Sequence, residues 1–194
     1  LDAAYARLSV AMEERQAQRP WRLGMSVREA ATVLDIPETL TLRLLSVWED
    51  DGRVAVRAGA WHAPGFSPAL SKTQKAFFEQ NVAVANDAPY LPHSYDAIVR
   101  AAAARSADLS EALESLLAVG AFVRVGDDVY RRSQIEKAQS AIGALIGNDG
   151  HATMAQLRDV LGTSRKYALP LMEYFDSIGF TTRDGDLRRL RKVK

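Results

Sequence analysis

Residues 162–190 read GTSRKYALPLMEYFDSIGFTTRDGDLRRL and contain the pattern that decides the fold. Apolar residues recur at spacings of 3, 1, 3 and 3, which predicts an amphipathic helix over about 164–178. Gly179 suits the position after the last helical turn, where a positive φ is common. Asp184-Gly185 is a strong turn signal between two short strands. The segment therefore predicts a long helix followed by a β-hairpin. The expected buried face of the helix consists of Ala168, Leu171, Met172, Phe175 and Ile178.

The same order of elements occurs at the start of the chain. Ser26-x-x-Glu29 is a capping box, which predicts a helix that runs to about Leu34. A longer helix follows and ends at Gly52, and two short strands flank Ala58-Gly59. This segment is therefore a first copy of the pattern. The predicted buried face of its longer helix is Leu40, Leu44, Leu45 and Trp48.

A second copy lies in the middle of the chain, and a short helix also precedes the hairpin helix of the third. In the middle copy, Asp108-x-x-Glu111 predicts the start of the longer helix, Gly120 its end, and Gly126-Asp127-Asp128 a hairpin turn. In the third copy, Thr153-x-x-Gln156 is another capping box and predicts a helix that ends near Gly162.

Three helices followed by a β-hairpin in roughly 60–65 residues are the winged-helix plan, a relative of helix-turn-helix. The helix-ending glycines Gly52, Gly120 and Gly179 lie 68 and 59 residues apart. The sequence thus predicts a mainly α protein with small β-hairpins (α+β). We expect three tandem winged-helix domains over 1–66, 67–134 and 135–194.

Composition excludes several classes of protein. The 194 residues carry a net charge of +1 and are 47% hydrophobic, which is typical of a globular chain. There is no cysteine, so disulfides and thiolate zinc sites are excluded. The longest apolar stretch, about 116–123, is far below the ~18 residues of a membrane span. Because Leu1 begins inside a helical pattern without a signal peptide, we expect a cytoplasmic piece of a longer protein with no membrane partner.

Catalytic signals are not found in the sequence. It has no phosphate-binding loop, no G-x-G-x-x-G and no G-x-S-x-G motif. His62, His93 and His151 fall one per copy, without the spacing of metal ligands. We therefore expect this chain to be no enzyme and to hold no metal or cofactor.

Charge is concentrated in the last copy. Residues 1–66, 67–134 and 135–194 carry −1, −1 and +3, which predicts contact with a polyanion at the C-terminal end. A helix N-terminus there attracts phosphate. The alternative is a solvated basic tail, with ion pairs to Glu173 or Asp176. The candidate nucleic-acid-binding residues are Ser164, Arg165, Lys166, Tyr167, Arg183, Arg188, Arg189 and Arg191, with Lys192 and Lys194 beyond them.

This cluster makes the family recognisable. The segment from Gly162 to Leu190 resembles the last winged-helix domain of bacterial selenocysteine-specific translation elongation factors, the SelB family. That pattern is close to R-K-x-A-x-x-x-L-E-Y-F-D-x-I-G-F-T-R-R-x-G-D-x-R-x-L. Thr182 stands where the family often has a second arginine. The upstream stretches 19–25 and 63–74 resemble the family more weakly.

The resemblance implies a function for the chain. It would be the mRNA-binding arm of the factor and would recognise the selenocysteine-insertion hairpin (SECIS) beside a recoded UGA codon. The full-length factor would be a GTPase similar to elongation factor Tu. The resemblance places GTP and magnesium in a part of the factor that this chain lacks. It implies selenocysteinyl-tRNA and the ribosome as partners of the whole factor, and we expect a monomer.

A DNA-binding transcriptional regulator is the alternative. It would place a winged-helix helix in the major groove, commonly as a dimer on paired half-sites. However, only one copy is basic, and its helix offers two cations and few amide side chains for reading base edges. A scaffold of winged helices that binds other proteins is a third reading, but it would leave the C-terminal cations without a role.

Overall fold

The computed structural model describes residues 1–85 and 87–191. The predicted contacts of Lys192 and Lys194 lie outside these residues. The chain is mostly helical with small antiparallel sheets. No helix in the described ranges has the length and apolar character needed to cross a membrane.

The first set of elements matches the predicted capping signals. Ser26 and Glu29 form the capping box of α2, and the turn before β2 holds Ala58 at φ 48° and Gly59 at φ 76°. Leu45 and Trp48 are buried as expected, but Leu40 is 48% exposed, so its predicted place in the core is wrong. The elements are α1 (Asp2–Gln18), α2 (Val27–Leu34), α3 (Glu38–Asp50), β1 (Ala55–Arg57) and β2 (Ala60–His62).

The second set begins its longer helix two residues earlier than the sequence indicates. Ser106 is the N-cap, and its hydroxyl accepts a hydrogen bond from the Asp108 N–H. The predicted capping pair of Asp108 and Glu111 is therefore wrong, because Glu111 bonds elsewhere. The elements are α4 (Lys72–Asn81), β3 (His93–Ser94), α5 (Tyr95–Arg105), α6 (Ala107–Ala118), β4 (Phe122–Val125) and β5 (Asp128–Arg131).

The third set follows the expected pattern most closely. Thr153 and Gln156 form the capping box of α8, and Gly179 ends the next helix with φ 74°. The predicted inward residues of α9 are fully buried except Ile178, which is 51% exposed at the C-cap. The elements are α7 (Arg132–Asp149), β6 (Ala152–Thr153), α8 (Met154–Val160), α9 (Arg165–Ser177), β7 (Thr181–Asp184) and β8 (Leu187–Leu190).

Short strands before the second helix of a set complete each sheet. β3 pairs with β5, and β6 pairs with β8, which gives sheet orders β3-β5-β4 and β6-β8-β7. In the first set a single bridge between Met25 and Trp61 takes the same place. Sequence patterns did not reveal these strands because two residues are too few for an alternation to show.

The chain forms two compact units. Unit 1 contains residues 1–76 and 102–120, and unit 2 contains residues 77–101 and 121–194. In unit 1, α6 is tied to the first set of elements, because the Leu23 N–H donates to Ser115 Oγ at 3.0 Å. The three predicted domain boundaries remain a prediction.

The core of unit 2 extends beyond the third set of elements. Val123, Val125 and Tyr130 from β4 and β5 belong to the same buried cluster as Ile142 of α7 and Phe175 of α9. Burial raises the pKa of the Tyr130 phenol, with smaller contributions from Asp128 and Tyr167. The β4–β5 hairpin of the second set therefore shares one hydrophobic core with α7, α8 and α9.

Candidate nucleic-acid interface

The N-terminus of α9 carries exposed cations. Arg165 and Lys166 are the first two residues of the helix, and both are exposed. Ser164 is the N-cap, but within the described residues its hydroxyl accepts no capping hydrogen bond from the helix. Since helix N–H groups left uncapped attract anions, this end of α9 suits a phosphate. By contrast, the capping box occupies the N-terminus of α8.

Tyr167 is half-buried at the same helix end. The Lys166 ammonium lies 5.1 Å from the centre of its ring, which is within the range of a cation–π contact. A cation thus covers one face of the ring. Tyr167 also contributes to the raised pKa of the buried Tyr130 phenol. The geometry supports a role of Tyr167 in the core as much as one in base stacking.

Asp128 moderates the charge beside α9. Burial raises the pKa of this carboxyl, and the nearby charge of Lys166 opposes that rise. Lys166 thus has an acidic neighbour from β5, whereas no ion pair links Arg165 to an acidic group in the described part of the chain. Arg165 is therefore the freer cation of the two.

Arg183 and Arg188 stand directly opposite each other in the register of β7 and β8. Opposite residues of an antiparallel pair point to the same face of the sheet. Arg183 is exposed, and its Nε donates to the Gly185 carbonyl at 2.9 Å. The two arginines share a face but differ in exposure.

Arg188 is buried beneath the hairpin. Its side chain is 7% exposed, and its Nε lies 2.9 Å from Asp176 Oδ2 of α9, an ion pair whose angle falls short of a hydrogen bond. The Thr181 hydroxyl donates to the other oxygen of Asp176 at 2.7 Å. Both oxygens of Asp176 thus hold the hairpin to α9. This geometry favours the structural alternative for Arg188.

Arg189 and Arg191 are exposed at the C-terminal strand. Arg189 pairs with Asp184 across the hairpin at 2.9 Å, with both side chains largely in solvent. Because exposed ion pairs contribute little free energy, Arg189 can exchange Asp184 for a phosphate at low cost. The Arg191 guanidinium lies against Gly179, where an added Cβ would be 3.1 Å from Nη1.

Sequence reasoning missed a further cation in unit 2. Arg124 of β4 is exposed, lies 4.1 Å above the ring of Tyr95, and donates from Nε to the Gly126 carbonyl at 3.0 Å. Arg183 makes the equivalent bond to Gly185 in the third hairpin. Each of these arginines lies two residues before the glycine of its hairpin turn. A comparison of the two hairpins position by position would therefore have revealed Arg124.

The tryptophans and His93 have structural positions. Trp48 and Trp61 are buried, and the indole N–H of Trp21 donates to Glu111 at 3.3 Å. His93 contacts the Ala83 carbonyl through Nε2. Across the described ranges, no group of three or more His, Asp or Glu side chains is placed to hold a metal ion.

A family model matches the basic part of the chain. Residues 144–190 match the model described as elongation factor SelB, winged helix. These residues contain α8, α9 and the β7–β8 hairpin, together with the candidate site residues from Ser164 to Arg189.

Curated relatives extend the similarity upstream. The selenocysteine-specific elongation factor of Escherichia coli (strain K12) is 30% identical over 159 residues, which cover 79% of this chain and 25% of that protein. The factor of Desulfomicrobium baculatum is 22% identical over 142 residues, 73% of this chain and 22% of that protein. The chain thus spans about a quarter of the length of the relatives it matches.

Two solved structures are also similar. Bacterial selenocysteine-specific elongation factor EF-Sec gives a TM-score of 0.57 at 16% identity, over 97% of this chain and 30% of that one. The mRNA-binding domain of E. coli SelB in complex with SECIS RNA gives 0.48 at 27% identity, over 63% of this chain and all of that one. The first likeness supports the fold. By its sequence, the chain is a homologue of the winged-helix region of the selenocysteine-specific elongation factors.

Proposed function

We propose that this chain is the mRNA-binding arm of a selenocysteine-specific elongation factor, and that it recognises the SECIS hairpin. The observation that carries the proposal is the set of exposed cations on one winged helix, inside or next to the segment that the family model matches. The proposed RNA contacts are Ser164, Arg165, Lys166, Tyr167, Arg183, Arg189 and Arg191, with Arg188 as a positioning residue.

The chemistry of these residues suits folded RNA. Uncapped N–H groups at α9 can donate hydrogen bonds to a phosphate, and exposed arginines can bind phosphate oxygens in a bidentate manner. RNA hairpins present unpaired loop bases, whereas paired bases stay hidden in the narrow major groove of A-form RNA. We therefore expect a preference for a hairpin with an open loop.

The remaining roles belong to the longer protein. We propose that GTP, magnesium and selenocysteinyl-tRNA bind the part of the factor that this chain does not span. The ribosome would contact the full-length factor during decoding of UGA. We further propose that this chain catalyses no reaction itself, that the factor works in the cytoplasm, and that the chain is a monomer of three winged helices over 1–66, 67–134 and 135–194.

A binding comparison tests the proposal. Fluorescence anisotropy should give a Kd for a SECIS-type RNA hairpin at least tenfold lower than for fully paired RNA of equal length or for duplex DNA of the same sequence, a difference of about 1.4 kcal/mol. Equal affinity for both RNAs would reduce the function to general polyanion binding. Tighter binding to duplex DNA would favour a DNA-binding regulator.

A further inference from the structure

Unit 1 contains a cavity that the proposed RNA contact does not use. Its volume is about 320 Å³, within the lower range of small-ligand sites. It lies among α1, α2 and β2, and its lining includes Met12, Arg15, Gln16, Arg22, Trp61 and His62. None of these residues belongs to the basic cluster of the third winged helix.

Two residues of the cavity lining carry a polar atom without a partner. Gln16 Nε2 and His62 Nε2 are buried and, among the described residues, have no hydrogen-bond partner. His62 is 93% buried, and its other nitrogen, Nδ1, lies 2.9 Å from the Ala63 carbonyl. A carbonyl only accepts, so Nδ1 carries a proton and Nε2 is the atom left for a ligand. Buried polar groups are nearly always paired, and a ligand that supplies the partner offsets their desolvation.

Arginines give the cavity its charge. Arg15 and Arg22 both pair with Glu29, at 2.7 and 2.9 Å, so two cations share one carboxylate. Each guanidinium has five N–H donors, which leaves donors beyond those that Glu29 occupies. Arg19 also lines the cavity, and it pairs at 2.9 Å with Glu111, which does not belong to the lining. The three arginines and the two carboxylates that pair with them carry a net charge of +1, which favours an anionic ligand.

An apolar wall faces these polar groups. Met12, Met25 and Trp61 are each at least 95% buried and line the same cavity. Gly24 keeps this wall close, because an added Cβ there would lie 2.3 Å from the Trp61 carbonyl oxygen. The lining thus combines apolar side chains, which suit a ring, with arginine N–H groups, which suit phosphate oxygens.

We infer that this cavity binds a nucleoside phosphate. Its phosphate would receive hydrogen bonds from Gln16 Nε2 and the arginines, and its base or ribose would pair with His62 Nε2 against the apolar wall. The same chemistry is offered by a free nucleotide and by one nucleotide of an RNA strand. The site shares no residue with the RNA contact proposed above, so either proposal can fail without the other.

Calorimetric titration of the intact chain tests the inference. The probes are inorganic phosphate, adenosine 5′-monophosphate and the single-stranded RNA tetramer of adenosine. The monophosphate should bind at least tenfold more tightly than inorganic phosphate, and Gln16→Leu or His62→Leu should weaken it at least tenfold. His151→Leu and Gln139→Leu, which remove a histidine and a glutamine of unit 2, should leave the affinity unchanged. A tetramer that binds while the monophosphate does not would assign the site to an RNA strand.

Nuclear magnetic resonance of the unmodified chain provides a second readout. Saturating monophosphate should shift the side-chain amide signals of Gln16 and the imidazole signals of His62, while signals from α9 stay in place. If no probe binds at millimolar concentration, the inference is wrong. It is equally overturned if both leucine variants fold and bind as the original chain does. Inorganic phosphate that binds as tightly as the monophosphate would overturn the nucleoside part.

Discussion

Arg183 and Arg188 occupy opposite places on one hairpin, yet their surroundings assign them different roles. Arg183 is exposed, whereas Arg188 is held against Asp176 beneath the strands. Both are arginines beside the same turn, and their sequence positions alone do not distinguish them. Burial is what separates a cation available to RNA from one that holds the hairpin in place.

At this scale, alanine at Arg165 or Arg183 should weaken RNA binding by about tenfold, or about 1.4 kcal/mol. Each lost phosphate contact should also flatten the slope of log K against log salt by about 0.7–0.9. Titrations at several salt concentrations measure both effects. Alanine at Arg28 or Arg43, which are exposed in unit 1, is the matched control and should change neither quantity. An Arg165 variant that keeps its melting temperature and its RNA affinity would remove that residue from the site.

Arg188→Ala should act on stability instead. Removing one partner of a buried ion pair costs about 3–5 kcal/mol, and the 24% exposure of the Asp176 side chain reduces this to roughly 2–3 kcal/mol. Denaturant unfolding measures the loss, and the salt slope of the remaining folded protein should be unchanged. Arg189→Ala breaks only an exposed pair and should cost less than about 1 kcal/mol. If Arg188→Ala is as stable as the original chain but has a flatter salt slope, Arg188 contacts RNA.

At the scale of elements, the helices differ in whether side chains cap their N-termini. In α2 the Ser26 and Glu29 side chains satisfy the first N–H groups, whereas Ser164 leaves the start of α9 uncapped. Capping typically contributes about 1 kcal/mol. Arg165 and Lys166 lie at this uncapped N-terminus of α9, as expected where an anion accepts the hydrogen bonds of the first N–H groups.

Glu29→Gln should lower the free energy of unfolding at neutral pH, and this loss should become smaller at low pH. Burial alone would raise the pKa of Glu29, but the Ser26 N–H, Arg15 and Arg22 outweigh it and lower the pKa to about 2. A lowered pKa stabilises the fold above the unfolded value near 4.3, and this stability is lost as pH falls towards 2. After allowance for solvent screening, we expect about 1–2 kcal/mol at pH 7.

Unfolding of the original chain and of the glutamine variant at pH 7 and pH 2.5 measures this difference. The difference between the two proteins should be smaller at pH 2.5 than at pH 7, because most of the stability that comes from the lowered pKa of Glu29 is lost as pH falls from the unfolded value towards 2. A gap of the same size at both values would show that Glu29 acts through packing rather than charge.

At the scale of the whole molecule, the boundary of the proposed RNA-binding part depends on which residues share its hydrophobic core. The sequence predicts that residues 135–194 retain most of the RNA affinity, because they hold the basic cluster. Val123, Val125 and Tyr130 of the preceding hairpin, however, belong to the same core. A cut at residue 135 removes these side chains and exposes the apolar surface they cover.

Fragment 121–194 should therefore melt at a higher temperature than fragment 135–194. Both should bind the RNA hairpin within tenfold of the full chain when measured well below their melting temperatures. Circular dichroism and fluorescence titration check the two expectations separately. Loss of more than tenfold in the longer fragment would mean that residues 1–120 share the RNA site, and equal melting temperatures would show that the hairpin adds no stability.

The sequence by itself determined the features that depend on neighbours along the chain. Helix faces, the capping boxes of α2 and α8, the glycine after α9 and the family motif are all patterns within about 30 residues, and local geometry imposes them. Leu40 and Ile178 were misplaced because both fit a helical period although they lie at the two ends of the predicted faces, where the core no longer reaches.

The tertiary structure decided which groups are free and which are paired. Arg188 pairs with Asp176, and Glu111 pairs with Arg19, a partner 92 residues away. The shared core of β4–β5 and α7–α9, and the unpartnered atoms of Gln16 and His62, likewise depend on segments that meet only after folding. The physical reason is that spacing encodes the face on which a side chain lies, whereas its charge partner and its burial depend on whatever packs against that face.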